Sequence, residues 1–189
     1  MTPFSRLAML AAMTASLVTA CSAPAEAPAI MRWPDLLERP RPEPSRSIAY
    51  GENALQRIDL WLPEGQGPHP VVLMIHGGCW LTEVADRSIM NWIANDLRAR
   101  GIAVWNIDYR GVDRGGGYPA TFHDVAAAAD LLVADGPRYG LKTDRIVVVG
   151  HSAGGHLGLW LAARTALPET SPFHATVPMR PAAVISQGG

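Results

Sequence analysis

The chain shows two kinds of apolar pattern, and their order predicts its architecture. "SIAYG" and "LQRIDLWLP" alternate apolar and polar positions and read as two strands turning at Gly51-Glu52-Asn53. "VVLMIHGG", "IAVWNID" and "RIVVVG" are continuous apolar runs closed by glycines or polar residues. Such runs suit strands buried on both faces. Helical spacing appears between them. Ile89, Trp92, Ile93 and Leu97 mark a helix over residues 86–100, stopped by Gly101. Pro119 opens a second helix, through "FHDVAAAADLLVAD" to Gly136-Pro137. Residues 152–166 form a third. A Gly-rich loop, "RGVDRGGGY", and a Pro-rich one, "LPETSPFHATVPMRP", separate the later elements, and "AAVISQ" is the last strand. Two antiparallel-looking strands followed by alternating strand and helix predict an α/β protein with a mostly parallel sheet and helices on both faces. In such sheets the site lies at the carboxyl ends of the strands.

The first 46 residues do not belong to that pattern. Arg6 precedes "LAMLAAMTASLVTA", a short run of small and aliphatic residues with the form of an export signal. The run ends in "LVTACS", which resembles a bacterial lipobox with Cys21 as the lipidated residue. The expectation is a lipoprotein signal peptide over 1–20, and an exported bacterial lipoprotein held at a membrane and facing the periplasm or cell exterior. Residues 22–46 carry six prolines, so 21–46 reads as an extended tether, with "WPDLLER" a candidate helical turn. Residues 47–189 are then the folded domain.

Composition narrows the function classes. With 48% hydrophobic and 17% charged residues the 189-residue chain is globular, and a net charge of −1 gives no nucleic-acid surface. The two cysteines are Cys21 and Cys79. Acylation of the first would leave the second without an intrachain partner, so no disulfide is expected.

The chemistry sits after the third buried run. Gly150-His151-Ser152-Ala153-Gly154 fits G-x-S-x-G, the nucleophile elbow, between a strand and a helix. The dinucleotide and P-loop fingerprints both fail on the same glycines. "HGGCW", residues 76–80, closes the first buried run. A Gly-rich loop there lets backbone amides approach a developing oxyanion, so Gly78, Cys79 and Ala153 are the candidate donors and Ser152 the candidate nucleophile. His151 and His156 are five apart and do not share a helix face as zinc ligands would, and no metal site is expected. His76 is expected to buttress the loop, His156 to pack on its helix, and Asp124 to make structural hydrogen bonds.

"VVLMIHGGCW", "IAVWNIDYRG", "YPATFHDVAAAADLL" and "DRIVVVGHSAGGHLGLWLAAR", in that order, resemble the α/β-hydrolase superfamily. The branch they are most similar to is the bifunctional feruloyl and acetylxylan esterases, near hormone-sensitive-lipase-like esterases and arylformamidases. The resemblance covers residues 48–187. It implies a serine hydrolase of carboxylic esters, with a Ser–acid–His triad and no cofactor. Cys79 stands where the family often has glycine. The resemblance places the acid and the histidine after strands that follow "AAVIS". The expectation is a C-terminally partial domain lacking both. His174 has no acid behind it in the required order. An arylformamidase with the same machinery and a non-catalytic, membrane-tethered binding module are the alternatives.

Overall fold

The computed structural model describes residues 30–189. The expected signal peptide and Cys21 lie outside the described residues. The described residues fall into two units, one ending at Pro40 and the other Arg41–Gly189. In the first, the expected helical turn is α1 (Trp33–Leu37), with a proline in its first turn and Arg32 N donating to Asp35 Oδ2 at 2.7 Å. It buries none of its residues, and Ile30, Met31, Trp33 and Leu37 are exposed.

The second unit begins before Ser47, where the sequence placed it. Pro42 O accepts from Asn91 Nδ2 at 3.0 Å, Glu43 O from Arg98 Nη1 at 3.3 Å, and Ser45 N donates to Leu60 O at 2.9 Å. Proline removes a donor but leaves its carbonyl free to accept. A Pro-rich segment can therefore dock through its oxygens, and that route is not visible in composition.

Among the described residues, six strands form one sheet in the order β1-β2-β4-β3-β5-β6. They are β1 (Arg46–Ala49), β2 (Arg57–Trp61), β3 (His69–Ile75), β4 (Ala103–Ile107), β5 (Leu141–His151) and β6 (Pro181–Gln187). β1 and β2 pair antiparallel, as do β2 and β4, whereas β4, β3, β5 and β6 run parallel. The helices of this unit are α2 (Asn91–Ala99), α3 (Ala120–Asp135) and α4 (Ala153–Arg164).

Strand alternation divides the core. One face carries Ile58, Leu60, Leu73, Ile75, Trp105, Ile107 and Val148, packed with Val125 and Leu132 of α3 and Leu157 and Leu161 of α4. Trp105 Nε1 donates to Ala128 O at 3.0 Å and pins α3 to β4. The other face carries Trp61, Met74 and Val104 under Met90 and Ala94. The fold is the expected α/β-hydrolase arrangement, with a mostly parallel sheet covered on both faces.

Two boundaries differ from the sequence reading. The helix expected over 86–100 opens with a 3-10 turn, Arg87–Met90, because the Asp86 side chain accepts from Ser88 N and caps that turn. β5 starts at Leu141, well before Arg145, because His69 and Pro70 pair with Leu141 and Lys142 beyond the buried part of the sheet.

From β3 the chain moves to β4 on one side and later to β5 on the other. The crevice between the carboxyl ends of β3 and β5 is therefore the switch point of the sheet. It holds residues 76–80 and Ser152.

Candidate active site

β5 ends at His151 and α4 begins at Ala153, so Ser152 is the hinge between them. Its backbone lies at φ 49° and ψ −118°, a conformation that L-residues rarely adopt. Such strain persists only when the surroundings over-determine it. The surroundings here are backbone. A β-carbon on Gly150 would sit 2.1 Å from Gly154 O, and one on Gly154 would sit 2.1 Å from Ile75 O. Only glycine fits at either place, and the strand, the helix and the end of β3 close on each other around the turn. Ser152 N donates to Gln187 O at 2.8 Å, which ties the turn to β6 as well. The serine is half-buried.

The loop from β3 comes up against that turn. A β-carbon on Gly77 would lie 2.8 Å from His151 Nδ1 and 3.1 Å from Ser152 Cβ. Gly78 (φ 117°), Cys79 (φ 54°) and Trp80 (φ 58°) then follow in left-handed backbone, and Leu81 N donates to Gly78 O at 2.8 Å to close the turn. Val112 N donates to Trp80 O at 2.8 Å and holds its far end. Among the described residues, no protein acceptor takes the amides of Gly78, Cys79 or Ala153. Gly78 and Cys79 follow the carboxyl end of β3, and Ala153 that of the parallel β5, the end of the sheet at which Ser152 lies. Ala153 N–H lies at the start of α4, where the helix dipole also favours negative charge.

His76 is buried and does not reach Ser152. Its Nδ1 is 2.6 Å from Gly77 O and its Nε2 2.9 Å from Asp108 Oδ1. Its ring stacks on Tyr109 at 4.4 Å between centroids. This is the buttressing arrangement expected of it. Burial, with Asp108 beside it, pushes the Tyr109 hydroxyl up from its ordinary pKa, and that hydroxyl donates to His76 O at 3.0 Å. Asp124 is likewise structural: it accepts from Arg110 N, Nε and Nη2 and from Gln56 Nε2.

His156 differs from its expected packed role. It is exposed, with its ring edge-on to Trp80 at 5.6 Å and to Phe122 at 6.0 Å. Phe122 continues to Trp160 and Phe173, so an aromatic wall runs from the loop of Trp80 across the top of α3 and α4. His174 is also exposed, and its Nδ1 faces Leu167 O at 3.4 Å. Among the described residues, no histidine or carboxylate is hydrogen-bonded to Ser152 Oγ, and no cluster of three or more His, Cys, Asp or Glu could hold a metal. Cys79 is a free, exposed thiol.

The sequence reading missed Asp59, Arg87 and Asp108. Arg87 Nε donates to Asp59 Oδ2 and Arg87 Nη1 to Asp108 Oδ2, both at 2.8 Å. One signal was available: Asp108 follows a continuous apolar run, and a carboxylate in that place needs a partner.

A parallel sheet with a strained serine between strand and helix, faced by a Gly-rich loop at the switch point, defines an α/β-hydrolase of the esterase superfamily. The sequence profile of the BD-FAE family matches residues 58–182, and the chain belongs to that family. A probable isoprenylcysteine alpha-carbonyl methylesterase of Arabidopsis thaliana is 34% identical over 113 residues, 59% of this chain and 23% of the relative. A kynurenine formamidase of Aspergillus versicolor is 30% identical over 154 residues, 76% of this chain and 51% of the relative. Among solved structures, esterase B from Lactobacillus rhamnosis superposes with a TM-score of 0.66 at 25% identity, over 77% of this chain and 50% of that one. The chain therefore spans about a quarter to a half of the length of these relatives.

Proposed function

We propose that this chain carries the nucleophile and the oxyanion donors of a serine hydrolase that cleaves carboxylic esters through an acyl-enzyme. Ser152 Oγ attacks the carbonyl carbon as its proton passes to a general base. The amides of Gly78, Cys79 and Ala153 receive the negative oxygen. Each such donor is typically worth about 2.7–4 kcal/mol in the transition state. Collapse expels the alcohol with that proton, and water then releases the acid from Ser152. The order serine, acid, histidine in this fold assigns the base and its acid to sequence following β6. The observation that carries the reading is Ser152 at φ 49°, held by backbone contacts at Gly150 and Gly154 that admit only glycine, with Gly77 of the facing loop close by.

The substrate branch is the feruloyl and acetylxylan esters. Cys21 is the lipid anchor that holds the protein at a bacterial membrane, facing the periplasm or cell exterior. The experiment is hydrolysis of p-nitrophenyl acetate and phosphonylation by a fluorophosphonate, in the full gene product. Ser152→Ala is expected to lose both, and undiminished turnover by that variant removes the elbow from the mechanism. For the anchor, labelling with a clickable fatty acid is expected to disappear in Cys21→Ala, and equal labelling overturns it.

A second reading is favoured by the kynurenine formamidase relative. The same serine and amides would serve an N-formyl aryl amide. A kcat/KM higher for N-formylkynurenine than for p-nitrophenyl butyrate decides for it.

A further inference from the structure

The oxyanion loop is anchored by a chain of buried charges that begins on another element. Gly77 O and Gly78 N–H belong to one peptide plane, and in a trans peptide they point in opposite directions. His76 Nδ1 lies 2.6 Å from Gly77 O. A carbonyl oxygen cannot donate, so this bond is made with the ring donating. It turns the Gly77 carbonyl toward His76 and thereby sets the direction of the Gly78 N–H on the other side of the plane. The ring itself is held at Nε2 by Asp108 Oδ1, 2.9 Å away, and against the Tyr109 ring.

Asp108 is 1% exposed. Its Oδ1 also accepts from Tyr109 N at 3.1 Å, and its Oδ2 accepts from Arg87 Nη1 at 2.8 Å. Arg87 turns its Nε to Asp59 Oδ2 on β2, also at 2.8 Å. Arg87 is thus the counter-charge shared by two buried carboxylates. The planar fork of a guanidinium can face both at fixed angles, which an ammonium cannot do. Burial opposes the Arg87 charge, and the two carboxylates, Asp59 before Asp108, together more than offset it and hold the guanidinium above its ordinary pKa.

We infer that Arg87 is a positioning residue for the oxyanion loop, acting through Asp108 and His76 on the direction of the Gly78 N–H. The inference rests on the reading of Gly78 as an oxyanion donor. Without the guanidinium, Asp108 Oδ2 is left buried without its donor. The carboxylate then rotates toward another donor, and the His76 ring loses the partner that aims its Nδ1.

The test is Arg87→Met and Arg87→Lys, measured by ester turnover in the full gene product and by amide exchange of Gly78 in this chain. For Arg87→Met, kcat should fall about 10- to 100-fold with KM within about two-fold, because a misaimed donor is lost in the transition state and not in substrate binding. Gly78 N–H should exchange faster. Arg87→Lys, which keeps the charge without the fork, should fall between the parent and Arg87→Met. The Arg87 side chain is 23% exposed, so millimolar ethylguanidinium should restore part of kcat to Arg87→Ala, a rescue that a misfolded variant would not show. An unchanged kcat, or a change confined to KM, overturns the inference. If the parent itself turns over no ester, the proposed function fails instead. Gly78 exchange then decides alone, and equal rates in parent and Arg87→Met overturn the positioning role.

Discussion

A β-carbon on Gly154 would come within 2.1 Å of Ile75 O and 2.5 Å of His76 O. The first turn of α4 is therefore pressed against the end of β3, and this contact sets the height of Ser152 above the sheet. Both colliding atoms are backbone, so neither can swing aside. Gly154→Ala should force the helix away from β3. Overpacking of this kind costs typically about 1–3 kcal/mol. A urea midpoint unchanged from the parent would show that the elbow has slack and that the glycine is dispensable.

Cys79 offers the opposite case. It adopts φ 54°, a left-handed conformation that costs an L-residue roughly 1–2 kcal/mol and glycine nothing. Its thiol is exposed and free, so little packing is lost on removing it. Cys79→Gly should raise stability by up to about 1 kcal/mol, the gain in backbone strain being partly offset by the chain entropy of glycine. The amide is untouched, so ester turnover in the full gene product should persist. A melting temperature below that of the parent would mean that the side chain packs better than its exposure implies.

The residues after Trp80 are tied down by Asp113. Its Oδ1 accepts from Thr82 N at 2.9 Å and its Oδ2 from Glu83 N at 3.1 Å. The hydrogen bond from the Thr82 amide, which outweighs the opposing desolvation, and then that from Glu83 hold its carboxyl below the ordinary aspartate pKa. A depressed folded pKa stabilises above the unfolded value, about 3.9, and that contribution is lost as pH falls through the folded value. Exchange protection of the Thr82 and Glu83 amides should therefore decline only below about pH 4. In Asp113→Asn the decline should vanish, with weaker protection already at neutral pH. Loss of protection near pH 6 in the parent would assign the tie to another group.

The parts of the fold readable in the sequence are those that local chemistry dictates. The runs of β3, β4 and β5 announce burial on both faces, and Gly150 and Gly154 announce the close crossing around Ser152. The Arg87 bridge was not readable. Arg87 stands 28 residues from Asp59 and 21 from Asp108, and these partners meet only once β2 and β4 lie side by side. Left-handed backbone at Cys79 and Trp80 was equally hidden, since neither residue favours it. The beginning of β5 was obscured by Lys142 and Asp144, which look like a loop until Leu141 pairs with His69. The aromatic wall from Trp80 through His156 to Phe122 is spread over three elements, and no spacing rule joins them.

Among the described residues, β6 lies at one edge of the sheet. The opposite edge, β1, is four residues long and begins with Arg46, so it is short and charged. β6 is seven residues, "PAAVISQ", without a charge, and Ile185 is 51% exposed. A long uncharged edge presents unpaired N–H and C=O groups that can template pairing with another chain. In this chain β6 should therefore drive self-association. Ile185→Lys adds a charge to a half-exposed position without removing a buried side chain, and it should shift the protein toward monomer. Sedimentation velocity across a hundred-fold concentration range reads this directly. A parent that stays monomeric throughout, or an Ile185→Lys variant that associates as strongly as the parent, would show that the β6 edge is not the contact.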